Sequence, residues 1–208
     1  MALKTFVKIS TVNNLSDARY CAGMQVNLMG FCLEENDKNF VSPDKFKEIT
    51  GWISGVEYVA EFSHTHPERI LTFLKGYPEI HYIEIKEEIH LKMLVNTSYG
   101  IILNQKVENI NDLEDLIGKS ASYHDFNITL LLQSETLELN KEVLKKITKL
   151  ASKCQVLLDF GIDADTVLEL VESTGIKGIS MQGGDEIKPG LKDFDELSEI
   201  LESLETED

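Results

Sequence analysis

The 208-residue sequence has little of what marks several specialised protein classes. Its three cysteines, Cys21, Cys32 and Cys154, are scattered and odd in number, which argues against a disulfide framework and predicts free thiols in a reducing compartment. No Cys-x-x-Cys or His-Glu-x-x-His spacing occurs, so we predict no structural zinc site. No apolar run approaches the roughly 20 residues that span a bilayer, and the N-terminus lacks a signal-peptide pattern. We therefore expect a cytoplasmic protein.

Positive charge is also scarce. The chain has 20 Lys and Arg residues against 36 Asp and Glu residues, a formal net charge of −16. Such a charge repels nucleic acids and anionic membranes, so neither is expected as a partner. Much of the acidity lies in a short tail from Glu196 to Asp208, which we expect to fray at the end of a helix. No Gly-x-Gly-x-x-Gly follows a strand-like segment, which removes the main support for a dinucleotide-binding fold.

Apolar strand-like segments and amphipathic helix-like segments alternate along the whole chain. We predict strands over 6–10, 26–31, 56–62, 80–85, 99–103, 128–132, 155–158 and 177–181. Helices are predicted over 15–22, 43–50, 67–75, 88–95, 111–117, 140–152, 164–173 and 194–204. Several strands are continuously apolar, as in parallel sheets that are buried on both faces. The pattern predicts an α/β fold, a single (βα)₈ TIM barrel that occupies residues 1–208 as one domain.

Three pieces of sequence at the two ends of the chain carry a family resemblance. They are Lys-Ile-Ser and Asn-Leu-Ser-Asp-Ala at 8–10 and 14–18, Gly-Phe and Val-Ser-Pro at 30–31 and 41–43, and the segments 178–186 and 188–193. They resemble the opening Lys-Ile-Cys-Gly, the second strand with its loop, and the Pro-Gly-x-Lys-Asp ending of the phosphoribosylanthranilate isomerases of tryptophan biosynthesis. The pieces occur in the family's order, so the resemblance spans nearly the whole chain.

The resemblance implies an Amadori rearrangement, in which an acid opens the ribose ring of an aminoaldose phosphate and a base removes the proton from C2. The family's base is the cysteine of Lys-Ile-Cys-Gly, and Ser10 stands at that position here. The family's acid is an aspartate at the end of the sixth strand, where this chain has Gln133. A serine hydroxyl needs a neighbouring base to react, and an amide cannot act as a general acid. We therefore expect this activity to be lost.

The positions that the resemblance marks for substrate binding have changed as well. Asn39 stands where the family carries an arginine for the substrate carboxylate, which removes a charge and a bidentate donor. The full set of marked positions is Lys8, Asn39, Lys86, Asp159, Gly161, Ser180, Gln182, Gly183 and Gly184. The leading hypothesis is a barrel without isomerase activity that binds a small molecule or a partner at its C-terminal face, with no cofactor and no bound metal. The alternatives are an active phosphoribosylanthranilate or sugar-phosphate isomerase with another acid–base pair, and a metal- or lysine-dependent enzyme.

Acidic residues gather near the predicted strand ends. They are Glu34, Glu35, Asp37, Glu87, Glu135, Asp159, Asp163 and Asp185. They are expected to cap helices and carry loop charge, and the alternative is a site for a divalent cation or a cationic partner. His64 and His66 are interpreted as loop and capping residues, with a metal pair as the alternative. Lys8 either pairs with a carboxylate or acts as a Schiff-base nucleophile.

Overall fold

The computed structural model describes residues 2–183, 186–188, 191–192 and 195–206, and it has the predicted (βα)₈ barrel. The eight parallel strands are β1 Phe6–Ser10, β2 Leu28–Cys32, β3 Glu57–Glu61, β4 Ile80–Ile85, β5 Gly100–Lys106, β6 Thr129–Gln133, β7 Gln155–Leu158 and β8 Gly178–Gln182. The barrel closes where β1 pairs with β8, in a register that runs from Phe6 opposite Gly178 to Ser10 opposite Gln182. A small antiparallel hairpin follows, made by β9 Glu186–Lys188 and β10 Leu191–Lys192.

In the part of the chain that the structure describes, eight α-helices cover the outside of the barrel. They are α1 Leu15–Gly23, α2 Pro43–Thr50, α3 Pro67–Phe73, α4 Leu91–Leu94, α5 Ile110–Asp125, α6 Lys141–Ala151, α7 Val167–Thr174 and α8 Asp195–Ser203. Their starts follow from local chemistry, since the side chains of Asn14, Ser42 and Asn140 accept hydrogen bonds from the first free helix N–H groups. None of the helices in the described part of the chain has the length and apolar character to cross a membrane.

One predicted helix was too short, and another differs in its type of helix. The helix predicted over 111–117 is the 16-residue α5, which continues through Gly118 to Asp125. Gly118 lies on the exposed side of the helix, where a glycine costs only about 1 kcal/mol relative to alanine. The buried stripe that includes Leu113, Leu116 and Tyr123 holds the longer helix against the barrel. The helix predicted over 88–95 is a 3₁₀ turn at Glu88–His90 followed by the single-turn α4.

The C-terminal segment does not fray as predicted, at least as far as Thr206. The Lys4 N–H donates to the Leu204 carbonyl at 2.7 Å, and the Thr206 N–H donates to the Ala2 carbonyl at 2.9 Å. Leu204 is fully buried. The acidic tail is therefore tied by backbone hydrogen bonds to the segment before β1, and its Leu204 side chain is buried.

The inside of the barrel has two layers. Its floor is an apolar cluster that is separate from the larger core between strands and helices. The cluster consists of Leu28, Val59, Ile102, Leu131 and Leu157, with Phe6 and Tyr82 packed against it. Strand side chains alternate between inside and outside, so the next inward residues along the strands form a second layer nearer the C-terminal ends. That layer is polar.

Candidate functional site at the barrel mouth

We use the name barrel mouth for the C-terminal ends of the strands and the polar layer just beneath them. Its side chains are Lys8, Ser10, Glu61, Glu84, Asn104, Gln133, Asp159 and Ser180. They come from β1, β3, β4, β5, β6 and β8 and from the residue after β7. Hydrogen bonds and ion pairs join six of them into one network around Lys8, and a hydrogen bond joins Gln133 and Asp159 into a neighbouring pair.

Lys8 is the centre of the network and is fully buried. Its Nζ lies 2.7 Å from Glu61 Oε1 and 2.9 Å from Glu84 Oε2. Burial alone would lower the pKa of Lys8, but attraction and hydrogen bonding to Glu61 and Glu84 outweigh burial and raise it above its ordinary value. Lys8 is therefore held as an ammonium. It pairs with two carboxylates and is not available as a neutral nucleophile.

The two carboxylates have further partners. Glu61 Oε2 accepts from the Thr11 N–H at 3.1 Å and from the Thr11 hydroxyl at 3.3 Å. Glu84 Oε1 accepts from Asn104 Nδ2 at 2.7 Å. Burial raises the pKa of Glu61. The charge of Lys8 opposes this rise, and the charge of Glu84 adds to it. Sequence reasoning did not single out Glu61 or Asn104 as site residues, although a carboxylate that ends an apolar strand opposite a buried lysine is a usable signal.

Two backbone positions next to this network, Thr11 and Gly30, have the conformation and the space that it requires. Thr11 has a φ of 57°, a left-handed conformation that is costly for a β-branched residue. The resemblance aligns Thr11 with the glycine of Lys-Ile-Cys-Gly, and the bonds from Thr11 to Glu61 hold the strained residue in place. A Cβ on Gly30 would lie 1.8 Å from Glu61 Oε1, so only glycine at that point of β2 leaves room for the carboxylate.

Ser10 is enclosed by the same network. Its Oγ accepts a hydrogen bond from Lys8 Nζ at 2.5 Å and lies 3.3 Å from Ser180 Oγ. Both serines are buried. The charge of the Lys8 ammonium is already matched by two carboxylates, so it does not favour an alkoxide on Ser10. The hydroxyl is a hydrogen-bonding group of the network.

Gln133 and Asp159 form a pair beside the network. Gln133 Nε2 donates a hydrogen bond to Asp159 Oδ2, and the Asp159 N–H donates to the Leu132 carbonyl at 2.9 Å. Burial raises the pKa of Asp159 from its ordinary value to about 6. The hydrogen bond from Gln133 and the charge of Lys8 oppose the rise, while Glu84 and Glu61 add to it. A half-buried carboxyl that can change protonation near neutral pH thus lies at the mouth.

Comparisons of sequence and of structure each match nearly the whole chain to known proteins. The phosphoribosylanthranilate isomerase of Thermotoga petrophila is 20% identical over 201 residues, covering 95% of this chain and 97% of that protein. The isomerase of a Sulfurihydrogenibium species is 23% identical over 207 residues, covering 94% and 97%. The crystal structure of the Thermotoga maritima isomerase superposes with a TM-score of 0.77 at 21% identity, covering 96% of this chain and 98% of that one. Over nearly its whole length, this chain is thus similar to phosphoribosylanthranilate isomerases. No protein-family model matches it.

A structure of such an isomerase bound to reduced 1-(o-carboxyphenylamino)-1-deoxyribulose 5-phosphate superposes with a TM-score of 0.76 at 20% identity, covering 96% of this chain and 98% of that one. At this level of identity the superposition establishes the shared (βα)₈ fold. The functional residues have to be judged from their own contacts.

The other positions marked by the resemblance to the isomerases are dispersed around the mouth. The Asn39 N–H is bound to Asp37 Oδ1 at 2.8 Å within the loop after β2. Lys86 and Gln182 are exposed. Gly161 has a φ of 63°, and a Cβ there would lie 2.6 Å from Leu139 Cδ1.

The glycines after β8 are only partly described. The Gly183 N–H donates to the Ser10 carbonyl at 3.2 Å. Gly184 and Asp185 lie outside the described residues. The backbone donor that the resemblance offers for a phosphate at Gly183 is thus already bonded to β1.

Most of the predicted acidic group is bound into loops. Glu34 accepts from the N–H groups of Ser63 and His64, at 2.9 and 3.1 Å, and from the Thr65 hydroxyl at 2.7 Å. Glu35 pairs with Arg69, and Glu135 lies 3.3 Å from Lys106.

The remaining metal candidates follow the same pattern. His66 Nδ1 accepts from the Glu68 N–H at 3.4 Å, as an N-cap of α3, and Asp163 Oδ1 accepts from the Asp165 N–H at 3.0 Å. Within the described ranges, no group of three or more His, Cys, Asp or Glu side chains is arranged to hold a metal ion. These side chains act as loop and helix caps.

Proposed function

We propose that this chain is an isomerase-like barrel that does not catalyse the Amadori rearrangement and that binds a small molecule at its mouth. The observation that carries the proposal is the state of Ser10, which accepts a hydrogen bond from the Lys8 ammonium. A residue that is to remove a proton from carbon needs a basic form near neutral pH. Ser10 has neither an ionisable group nor a free base beside it.

The acid position supports the same proposal. The amide of Gln133 has no proton to give as a general acid, and its Nε2 is engaged by Asp159. General acid and general base steps contribute about 10² to 10⁴ each to a rate. Without the groups at positions 10 and 133, the rearrangement is expected to be slower by several orders of magnitude.

Electrostatics also disfavour the doubly anionic substrate of the isomerases. Lys8 is a buried ammonium of the mouth, and its charge is matched by Glu61 and Glu84. Asn39 supplies no charge for a substrate carboxylate, and the Gly183 N–H is taken by Ser10. A phosphate would enter a region of negative potential, which lowers its local concentration.

An activity assay with phosphoribosylanthranilate tests the proposal. The wild-type chain is expected to show no turnover above that of Ser10→Ala and Gln133→Ala, each verified as folded by circular dichroism. Calorimetry with reduced 1-(o-carboxyphenylamino)-1-deoxyribulose 5-phosphate should detect no binding at millimolar concentration. Turnover by the wild type that either substitution removes would overturn the proposal.

The alternative is an active isomerase with a different acid–base pair. It is favoured by one observation, the half-buried carboxyl of Asp159 whose pKa of about 6 suits proton transfer near neutral pH. The same assay distinguishes the two functions, because the alternative predicts wild-type turnover that Asp159→Asn abolishes. A double variant, Ser10→Cys with Gln133→Asp, is the matched control that restores both of the residues typical of the family.

A further inference from the structure

The outer wall of the barrel has a groove beside its shortest covering helix in the described part of the chain. α4 has only four residues, whereas the neighbouring α5 has 16 residues. At 1.5 Å per residue, α4 spans about 6 Å of the wall and α5 spans about 24 Å. α4 therefore covers only part of the wall beside α5, and a groove with a volume of about 410 Å³ lies between the two elements.

Apolar side chains line most of this groove. Leu91 and Val95 come from α4 and the residue after it, Ile89 comes from the turn before α4, and Phe126 follows the end of α5. Ile89 is 82% exposed and Phe126 is 50% exposed. They are two of the four large apolar side chains that are exposed in the described residues, and a third, Met93, belongs to α4. Exposed apolar side chains that gather in one place indicate a binding surface.

One polar cluster holds the two walls of the groove together. The Tyr123 hydroxyl donates to Glu88 Oε1 at 2.8 Å, and Lys119 Nζ donates to Glu88 Oε2 at 2.6 Å. Burial alone would raise the pKa of Glu88, but these hydrogen bonds outweigh burial and lower the pKa below its ordinary value. Glu88 is thus an ionised carboxylate with both oxygens bonded and its charge matched by Lys119. Because the cluster joins the turn before α4 to α5, the groove is formed without a ligand.

The groove also carries one positive charge that is not matched. Lys92 of α4 lines the groove, is exposed, and makes no ion pair within the described part of the chain. Ser122 adds an exposed hydroxyl from α5. The acidic residue that lines the groove is Glu88, which Lys119 already neutralises. More distant charges are screened beyond about 8 Å at physiological ionic strength, so Lys92 determines the sign of the local field.

We propose that the groove binds a small amphipathic anion, a carboxylate on an aliphatic or aromatic body, with the body against Ile89 and Phe126 and the carboxylate at Lys92. The volume lies within the range of about 300–1,000 Å³ that small-molecule sites have. Lys92 would repel a cation and would gain nothing from an uncharged ligand. A second copy of the chain is disfavoured as the occupant, because two chains with a net charge of −16 repel each other.

This inference does not depend on the proposed function. The groove lies between helices on the outside of the barrel, whereas the mouth lies at the C-terminal ends of the strands. The two sites share no residue, so each can be tested with the other intact.

Fluorescence titration with 8-anilinonaphthalene-1-sulfonate, an anionic aromatic probe, tests the apolar part of the groove. The chain should bind a single equivalent saturably. Phe126→Ser should weaken this binding about tenfold or more, because it removes apolar contact area. Trp52→Ser is the matched control, since Trp52 is 71% exposed in the turn after α2 and should not affect the binding. No saturable binding at millimolar probe, or equal losses from the two substitutions in proteins that still unfold cooperatively in urea, would overturn the inference.

Displacement of the probe by octanoate and by 1-octanol, which have equal chain lengths, tests the charge. Lys92→Met should raise the dissociation constant of octanoate about 2- to 5-fold, the contribution of an exposed ion pair, and should leave that of 1-octanol unchanged. Lys45→Met is the matched control, since Lys45 is an exposed lysine on α2. Equal effects of Lys92→Met on the two ligands, or of Lys92→Met and Lys45→Met on octanoate, would overturn the choice of an anion.

Two further measurements test the location and the occupant. Asp159→Asn should leave the affinity for octanoate unchanged, and a loss of affinity would place the anion at the mouth and overturn the inference. Sedimentation equilibrium should give the same mass for the wild type and for Phe126→Ser. A dimer that Phe126→Ser dissociates would show that the groove is a contact between copies of the chain, which would also overturn the inference.

Discussion

The two ends of the barrel interior each hold a lysine, and their surroundings are opposite. At the mouth, Lys8 lies between the carboxylates of Glu61 and Glu84, which raise its pKa. At the N-terminal end, Lys177 donates to Gln155 Oε1 at 2.7 Å and lies 4.5 Å from the centre of the Phe6 ring. Burial lowers the pKa of Lys177, and the more distant Glu57 only partly compensates.

The comparison shows that burial alone does not decide the state of a lysine in this barrel. An ion pair with two carboxylates compensates desolvation, whereas an amide and an aromatic face compensate less of it. At the mouth, the buried charges of Lys8, Glu61 and Glu84 therefore stabilise one another, so the removal of one leaves the others without a partner. The opposite end is a set of weaker contacts that tolerate change.

The largest expected difference between the two ends comes from removing each lysine. Lys8→Met leaves Glu61 and Glu84 buried without a cation and should lower the free energy of unfolding by about 3–5 kcal/mol. Lys177→Met keeps an apolar stem over Phe6 and should cost less than about 1 kcal/mol. Urea denaturation measures both. Equal costs would contradict the comparison.

A rescue variant sharpens this test. Lys8→Met combined with Glu61→Gln and Glu84→Gln removes the unmatched charges along with the ammonium. It should recover a large part of the lost stability if the penalty is electrostatic. No recovery would show that Lys8 contributes mainly through packing.

The next effect concerns the space that the mouth network needs. Gly30→Ala would place a Cβ 1.8 Å from Glu61 Oε1 and 3.1 Å from Lys8 Nζ, so the ion pair must shift. We expect a loss of about 2–3 kcal/mol in the free energy of unfolding, measured in urea. Gly118→Ala is the matched control. Among the described residues, its Cβ meets no heavy atom within 4 Å, and alanine should stabilise the exposed helix by up to about 1 kcal/mol.

The smallest effect is a dependence on pH at Asp159. The pKa of this carboxyl is raised by folding from 3.8 to about 6, so stability present below pH 3.8 is lost as the pH rises to about 6. Asp159→Asn keeps an acceptor for Gln133 and removes this loss. It should stabilise the protein by about 1–2 kcal/mol at pH 7.5, a figure reduced for partial exposure, and by nothing below about pH 4. Thermal unfolding of both proteins from pH 4 to 8 measures the difference.

A constant difference between the two proteins at every pH would contradict this prediction. It would mean that Asp159 has an ordinary pKa in the folded state. If the mouth binds a ligand, as proposed, a stabilising substitution there is itself expected, because binding sites retain groups that are unfavourable for folding.

Local patterns of residues were enough to predict the barrel and many of its helix boundaries. Ser42 with Pro43 marks the start of α2, and short strand-like segments rich in apolar residues mark β1, β4 and β7 with the ends that the structure has. Prediction failed at Gly118, because packing of the buried stripe of α5 outweighed a glycine stop. It also failed at the tail, where the partners are the residues before β1.

The sequence by itself determined the order of strands and helices, the serine at position 10 and the amide at position 133, because these depend on residue type and local periodicity. Only the tertiary structure decided what those residues touch. Three different strands carry Lys8, Glu61 and Glu84. Gln133 ends β6, and Asp159 follows β7. These side chains meet because closure of the barrel brings the C-terminal strand ends together. The charge of Lys8 and the raised pKa of Asp159 follow from that proximity and from burial, neither of which a linear sequence specifies.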